Sequence, residues 1–526
     1  MKFEKMVTDS KHSVRSSAQL APVHAQRPWR KPIVSVPPAW PIAVHEVSTV
    51  VHLTAEYWPY ARTGGLGEAV AGLAMAQSRA GQRVIVYVPL YRSIRERHVE
   101  LVPVGAAFTV EIGSQQERVE VLRDPSTRFG PEVRFVDAPS YFDRPGLYGD
   151  EQGDYADNDQ RFALFCLAAL TDAATLDSRV SVIHAHDWHA ALAPVFLRAD
   201  PRFSELASSA SAVVSVHNAA FQGQFERSAL EEMHSLRELR ETGGLEAFGR
   251  LNLLKGALTL ADFVVTVSPT HAFDLTSELG GFGLHDAFRA LGDRLVGITN
   301  GIDQRLWNPV NDPFIAAAYS AADLSGKAIC KSALQIEYGL HEDDRIPLFA
   351  MSARLTEQKG FDIVLASDFV RSSNAQFVFL GTGERRYQDA LRQLARERPT
   401  HVAAQFDFTD EREHKLLAGA DFLLMPSLFE PCGLTQMRAQ RYGVLVVARR
   451  VGGLSDTVDP DVGFIFDEYD PAQLSDALTQ AEHAFQDEEM MTAMRQRAMA
   501  RDFGWPAVVP AYDAVYNRAA GHSEVW

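Results

Sequence analysis

Val50-Val51-His52-Leu53-Thr54 is an apolar-rich run, and soon after it stands Arg62-Thr63-Gly64-Gly65-Leu66-Gly67-Glu68. A β-rich run, a turn of glycines and then a helical stretch is how a strand–helix–strand crossover begins. The alternation continues outward. The first half offers Val50–Thr54, Arg83–Pro89, Val133–Asp137, Ser181–His186, Ala212–His217, Phe263–Ser268 and Leu295–Thr299. The second half offers Pro347–Ser352, Gln376–Leu380, Ala403–Phe408, Phe422–Pro426, Val444–Ala448 and Gly463–Phe466. Most of these runs are apolar throughout, which marks parallel strands covered on both faces. Helical segments between them imply right-handed crossovers and doubly wound sheets. The pattern occurs twice, with a break near Asn300–Pro347, so the sequence predicts two α/β domains of similar design. Ligands of such sheets bind beyond the carboxyl ends of the strands, and two facing sheets put the site in the cleft between them.

Composition narrows the function classes. The 526 residues suffice for roughly two to four domains. At 46% hydrophobic and 23% charged, a sizeable core is expected. A formal net charge of -17 argues against non-specific binding to nucleic acid or an anionic membrane. Such a chain needs local cations and backbone donors to hold a phosphorylated substrate. Cys166, Cys330 and Cys432 are far apart and give neither a disulfide framework nor a zinc spacing, so a reducing, cytoplasmic compartment fits. No apolar run reaches bilayer-spanning length. Residues 1–48 are rich in Pro, Ser and Arg and lack core periodicity. They are read as a disordered leader, with a targeting peptide as the alternative.

Five constellations carry chemistry. The Arg62–Glu68 turn offers bare N–H groups and the positive end of a helix, which suit a phosphate or a developing oxyanion; a tight turn alone is the plainer reading. Ile183-His184-Ala185-His186-Asp187-Trp188-His189 ends a buried run. It matches no standard zinc spacing, and a hydrogen-bonding, sugar-contacting cluster fits better. His184 and His186 are read as satisfied core histidines and Asp187 as functional. His217, in Val216-His217-Asn218, stands at another strand end. In Ser352–Gly360, Arg354 and Lys359 can both reach one diphosphate, as a fork donor and a point charge; a solvated pair with Glu357 is the alternative. Phe429-Glu430-Pro431-Cys432-Gly433-Leu434-Thr435-Gln436 puts a carboxylate before a helix start, with Cys432 read as packed and not as a nucleophile.

In this order and at these intervals the motifs resemble one family, the bacterial glycogen synthases and plant starch synthases. The resemblance runs from about His52 to Arg518. It includes Tyr141–Gly149, Asn300-Gly301-Ile302-Asp303 with Trp307-Asn308-Pro309, and Gly452–Val458. It implies a GT-B fold: a Rossmann-like starch synthase catalytic domain over 49–300 on the acceptor side, and a glycosyltransferase group 1 domain over 301–505 on the nucleotide-sugar side. Residues 506–526 are expected to form a helix packing back on the first domain. The implied reaction moves glucose from ADP-glucose to the non-reducing end of an α-1,4-glucan with retention, using no metal or cofactor. By resemblance, Thr63, Gly64 and Gly65 lie over the donor phosphates with Arg62 beside them. Asp187 and His217 sit by the reacting sugar, and Arg354 and Lys359 clamp the diphosphate. Glu430 and the backbone of Cys432 and Gly433 hold glucose hydroxyls. Leu434 and Thr435 open the phosphate-facing helix, Asn300 lines the site, and Phe408 stacks on adenine.

The chain departs from the family pattern at four positions. Arg62 stands for the usual Lys, Glu68 for Asp, Leu428 for Arg and Asp407 for Gly. Asp407 is expected to add negative charge beside the nucleotide, and Arg62→Lys to be tolerated. The rival readings are a related retaining transferase using another nucleotide sugar or a small acceptor, and a weakly active glucan-binding paralogue. The second predicts loss of the charged clamp, yet Arg354, Lys359 and Glu430 are all present.

Overall fold

The computed structural model describes residues 49–522 apart from 98, 99 and 128, so the expected leader over 1–48 lies outside the described residues. Two parallel sheets organise the chain. The first runs in space as Leu295–Gly297, Phe263–Thr266, Ser211–Val216, Val182–His186, Thr49–Leu53, Arg83–Pro89 and Glu132–Asp137. The second runs as Val402–Gln405, Gln376–Leu380, Leu348–Ser352, Phe422–Met425, Leu445–Arg449 and Gly463–Phe466. Counting the parallel strands of each lobe in chain order, the first sheet follows the doubly wound order 3-2-1-4-5-6-7 and the second 3-2-1-4-5-6. All the runs read as strands overlap one, and Arg83–Pro89, Gln376–Leu380 and Gly463–Phe466 agree to the residue. The run expected over Ala403–Phe408 stops at Gln405, which leaves Phe408 in the following loop.

The sequence reading missed an antiparallel extension of the first sheet. Gln115–Arg123 pairs antiparallel with Glu132–Asp137, and Val102–Pro103 and Phe108–Ile112 pair with it in turn. Burial alternates along these strands, because one face is wet. A search for continuous apolar runs passes over such a hairpin.

The order 3-2-1-4 creates one switch point per sheet, between its first and fourth strands, where the crossovers leave in opposite directions. In the first lobe it lies beyond Leu53 and His186, and in the second beyond Ser352 and Met425. The helix Trp505–His522 follows the second lobe but packs on the first. Val509, Tyr512, Val515 and Tyr516 form one cluster with Val50, Leu73, Val182, Val213 and Phe263. Trp505 lies against Gly72, where a Cβ would stand 1.9 Å from the indole Nε1.

That close approach gives a stability prediction. Gly72→Ala should destabilise the protein by about 1–3 kcal/mol, because overpacking against the buried Trp505 outweighs the gain in helix propensity. Gly105→Ala meets no atom within 4 Å and should stay within about 0.5 kcal/mol of the parent. Urea unfolding of the two variants checks this; equal midpoints would show that the helix yields without cost.

Candidate active site

Both switch points open on one cleft of about 730 Å³. On the first-lobe side Glu56 follows the central strand and is buried. Its carboxylate accepts from Thr63 N at 2.8 Å, Thr63 Oγ1 at 2.6 Å, Gly64 N at 3.3 Å and the Tyr148 hydroxyl at 2.7 Å. The glycine turn is thus held by a buried carboxylate that the sequence reading did not single out. The available signal was a lone acid placed directly after an apolar strand, Ala55-Glu56-Tyr57. Leu66–Arg79 then starts as a helix with no side-chain cap at Gly65.

Asp187 ends the fourth strand in the left-handed region, with φ 55°. A non-glycine residue reaches that conformation only when its surroundings impose it. Here the surroundings are hydrogen bonds: one carboxylate oxygen accepts from His217 N at 2.7 Å and Asn218 N at 3.4 Å. Burial pushes the Asp187 carboxyl up to about 7 against the pull of those donors.

On the second-lobe side Arg354 is exposed and lines the cleft. Among the described residues no carboxylate pairs with its guanidinium; Glu357 is 3.8 Å from Arg386 instead. Lys359 Nζ stands 2.6 Å from Glu430 Oε2, which also accepts from Ser427 Oγ at 3.1 Å. Cys432 is buried and its thiol is pushed up to about 12 by desolvation, which suits packing and not attack. Gly433 needs its φ of 73°, and a Cβ there would lie 2.4 Å from the Gln436 side chain. Leu434, Thr435, Phe408 and Asn300 also line the cleft. The helix opens at Thr435, and Asn300 Oδ1 is buried without a partner. Asp187, His217, Arg354, Lys359, Glu430 and the residues expected to bind substrate therefore meet in one cleft. Asp407 keeps its negative charge, since hydrogen bonds from Arg412 and Gln405 hold its carboxyl below the ordinary range, and Arg412 is the cation that pairs with it.

Arg62, expected beside the donor phosphates, lines the cleft and is bonded there to carboxylates of both lobes. Its Nη1 lies 2.6 Å from Glu68 and its Nη2 2.8 Å from Asp410 of the second lobe. Glu68 also pairs with Arg438, which reaches Glu413 at 2.9 Å and lies 4.3 Å above the Trp307 ring. Two guanidinium and three carboxylate groups thus form a continuous lattice across the cleft. Arg62→Lys, expected to be tolerated, would exchange a fork split between two carboxylates for a single point charge.

Beneath the first switch point, ring nitrogens of His52, His184 and His186 lie within 4.8 Å of one another. Each of those six nitrogens already has a hydrogen-bond partner, so a cation would have to displace them. Burial holds His52 and His217 near 4 and His189 near 3, and pushes His184 and His186 well below the ordinary imidazole value.

Comparison with known proteins agrees with this geometry. Residues 49–290 match the family described as starch synthase catalytic domain, and residues 337–501 match glycosyl transferases group 1. A glycogen synthase of Opitutus terrae is 38% identical over 476 residues, covering 89% of this chain and 99% of that protein. One of Anaeromyxobacter sp. is 40% identical over 479 residues, covering 90% and 99%. Among solved structures, the catalytic domain of starch synthase IV from Arabidopsis thaliana, bound to ADP and acarbose, superposes with a TM-score of 0.80. It is 30% identical and covers 90% of this chain and 99% of that one.

Two predictions follow from the charges. Asp410→Asn frees one arm of Arg62 and removes one cross-cleft contact. The donor KM should rise roughly threefold to tenfold, and rising salt should affect the variant less than the parent. Identical salt profiles would mean that the lattice does not govern closure. The second concerns pH. A histidine depressed by folding stabilises the protein above its unfolded value near 6.5, and that contribution is lost as pH falls towards the folded value. Asp187 acts oppositely: its raised value stabilises fully below about 4 and is lost as pH rises through 7. These five histidines, joined by His271 and by carboxyls that folding depresses such as Asp312 and Asp421, act against Asp187 and the raised carboxyls of Asp137, Asp159, Glu413, Asp456 and Asp513, and the urea midpoint should fall as pH drops from about 6.5 to about 4. A flat profile would mean that the folded cluster takes up protons freely.

Proposed function

The chain belongs to the glycogen synthase and starch synthase family of GT-B glycosyltransferases, and on that premise we propose that it transfers glucose from ADP-glucose to the non-reducing end of an α-1,4-glucan. The observation that carries the reading is the convergence of Arg354, Lys359, Glu430, Asp187 and the Thr63–Gly65 turn on one cleft. Breaking a glycosyl–phosphate bond builds positive charge on the anomeric carbon and negative charge on the departing diphosphate. Arg354 and Lys359 supply cations for the second, joined by the N–H group of Gly65. The arriving diphosphate competes with Glu430 for Lys359, and this turns the Glu430 carboxylate towards the sugar hydroxyls. Cys432 and Gly433 contribute backbone donors there, and Leu434 and Thr435 form the adjoining helix start. Asp187 and His217 flank the reacting sugar, Asn300 lines its pocket and Phe408 offers its exposed ring to adenine. Retention then comes from attack on the face that the diphosphate leaves. No helix among the described residues is long and apolar enough to cross a membrane. A cytoplasmic enzyme with neither metal nor cofactor is the reading we adopt.

Release of ADP or UDP, measured with each glucose donor with and without glycogen, tests this. Glycogen-dependent ADP release should dominate. A UDP-glucose efficiency about ten times that of ADP-glucose would overturn the donor assignment. In the same assay Glu430→Ala should lose at least about 100-fold in turnover, the scale of one preorganised polar contact. Near-normal turnover would remove Glu430 from the site.

A further inference from the structure

A line of buried side chains joins the C-terminal helix to the cleft. The Tyr516 hydroxyl lies 3.0 Å from Gln77 Nε2 and 2.8 Å from His184 Nδ1. Gln77 Oε1 lies 2.8 Å from His52 Nε2, and His52 Nδ1 lies 2.9 Å from His186 Nε2. His186 Nδ1 in turn lies 3.0 Å from His217 Nε2. His217 lines the cleft, and among the described residues nothing pairs with its Nδ1.

The direction of every proton on this line follows from one end. An amide oxygen only accepts, so His52 must carry its proton on Nε2. Buried neutral imidazole has one N–H, so His52 Nδ1 accepts and His186 Nε2 donates. The same logic passes to His186 Nδ1, which accepts from His217 Nε2. Gln77 itself is oriented by the Tyr516 hydroxyl, which accepts the amide N–H and gives its own proton to His184 Nδ1. His184 Nε2 then donates to Ser215 Oγ at 2.7 Å. Each partner on the line and its branch has the role it needs, and none is left with two protons facing each other.

We propose that this line fixes His217 as the Nε2-protonated tautomer, leaving Nδ1 as a hydrogen-bond acceptor on the cleft wall, and that Gln77 and Tyr516 are positioning residues of the transfer reaction. The functional half rests on the reading that His217 flanks the reacting sugar; the tautomer itself does not. An Nδ1 acceptor can receive a sugar hydroxyl proton in a hydrogen bond and cannot act as an acid. The C-terminal helix thereby reaches the active site through its choice of proton positions, without touching the substrate.

The test is long-range proton–nitrogen correlation NMR on the unliganded full-length enzyme with 15N-labelled histidine, the His217 signals being assigned by their loss in His217→Gln. His52, His186 and His217 should all show the Nε2–H pattern; an Nδ1–H or mixed pattern at His217 overturns the proposal. Gln77→Met and Tyr516→Phe should each turn the His217 signal into a tautomer mixture and lower kcat roughly tenfold, with donor KM within about twofold. Ser215→Ala removes a buried hydrogen bond from the same cluster but off the line, and should keep the His217 pattern. Variants that fold with an unchanged His217 tautomer overturn the relay. A changed tautomer with unchanged kcat overturns its role in the reaction. A parent enzyme with the expected pattern but no glucosyl transfer would instead count against the proposed function alone. The parent spectrum decides the tautomer even where a variant fails to fold.

Discussion

A parallel sheet buries both faces under helices, so it can offer side chains to a ligand only past the carboxyl ends of its strands. The crossovers crowd most of that edge. Only where the strand order reverses do neighbouring loops part and leave a crevice. Glu56, Asp187, Arg354, Lys359 and Glu430 obey this constraint. Glu56 and the glycine turn follow the first strand of one sheet, and Asp187 follows its fourth. Arg354 and Lys359 follow the first strand of the other, and Glu430 its fourth. The left-handed backbone at Asp187 and the orphaned oxygen of Asn300 are local costs concentrated at the cleft.

This explains what could be read without coordinates. Parallel central strands are apolar on both faces, so their runs announce themselves, and the residues just beyond each run become site candidates by position alone. Asp187, Arg354 and Glu430 were legible in that way. The hairpin Phe108–Ile112 with Gln115–Arg123 was not, because its wet face breaks the apolar run. Glu56 was equally placed, yet it stood outside any quoted motif, and its role depends on contacts to Thr63, Gly64 and Tyr148 that only folding brings together. The lattice was illegible for the same reason: Arg62 and Asp410 are 348 positions apart.

The buried histidines show how a polar cluster survives under an apolar sheet. Charged imidazoles there would repel and lack solvent, so each is held neutral, and both nitrogens of His52, His184 and His186 are matched to partners. Matching requires alternation of donors and acceptors along the whole line. The requirement is collective: a change at Tyr516 is felt at His217, because intermediate rings have no spare proton with which to absorb it. Such a network specifies a unique arrangement more than it adds stability.

The departures at Arg62 and Glu68 belong together. A lysine and an aspartate, the usual family pair, bring a point charge and a shorter carboxylate. Arginine and glutamate bring a fork and one more methylene, and both extra reaches are used. Arg62 divides its two terminal nitrogens between Glu68 and Asp410, while Glu68 divides its oxygens between Arg62 and Arg438. Each residue alone would be a poor substitute, since an arginine without Asp410 or a glutamate without Arg438 leaves an arm unmatched. Because the partners come from opposite lobes, the lattice acts on the distance between them and not on either sheet. In an acidic chain this arrangement keeps two guanidinium groups at the cleft, where their carboxylate partners stop them from repelling one another.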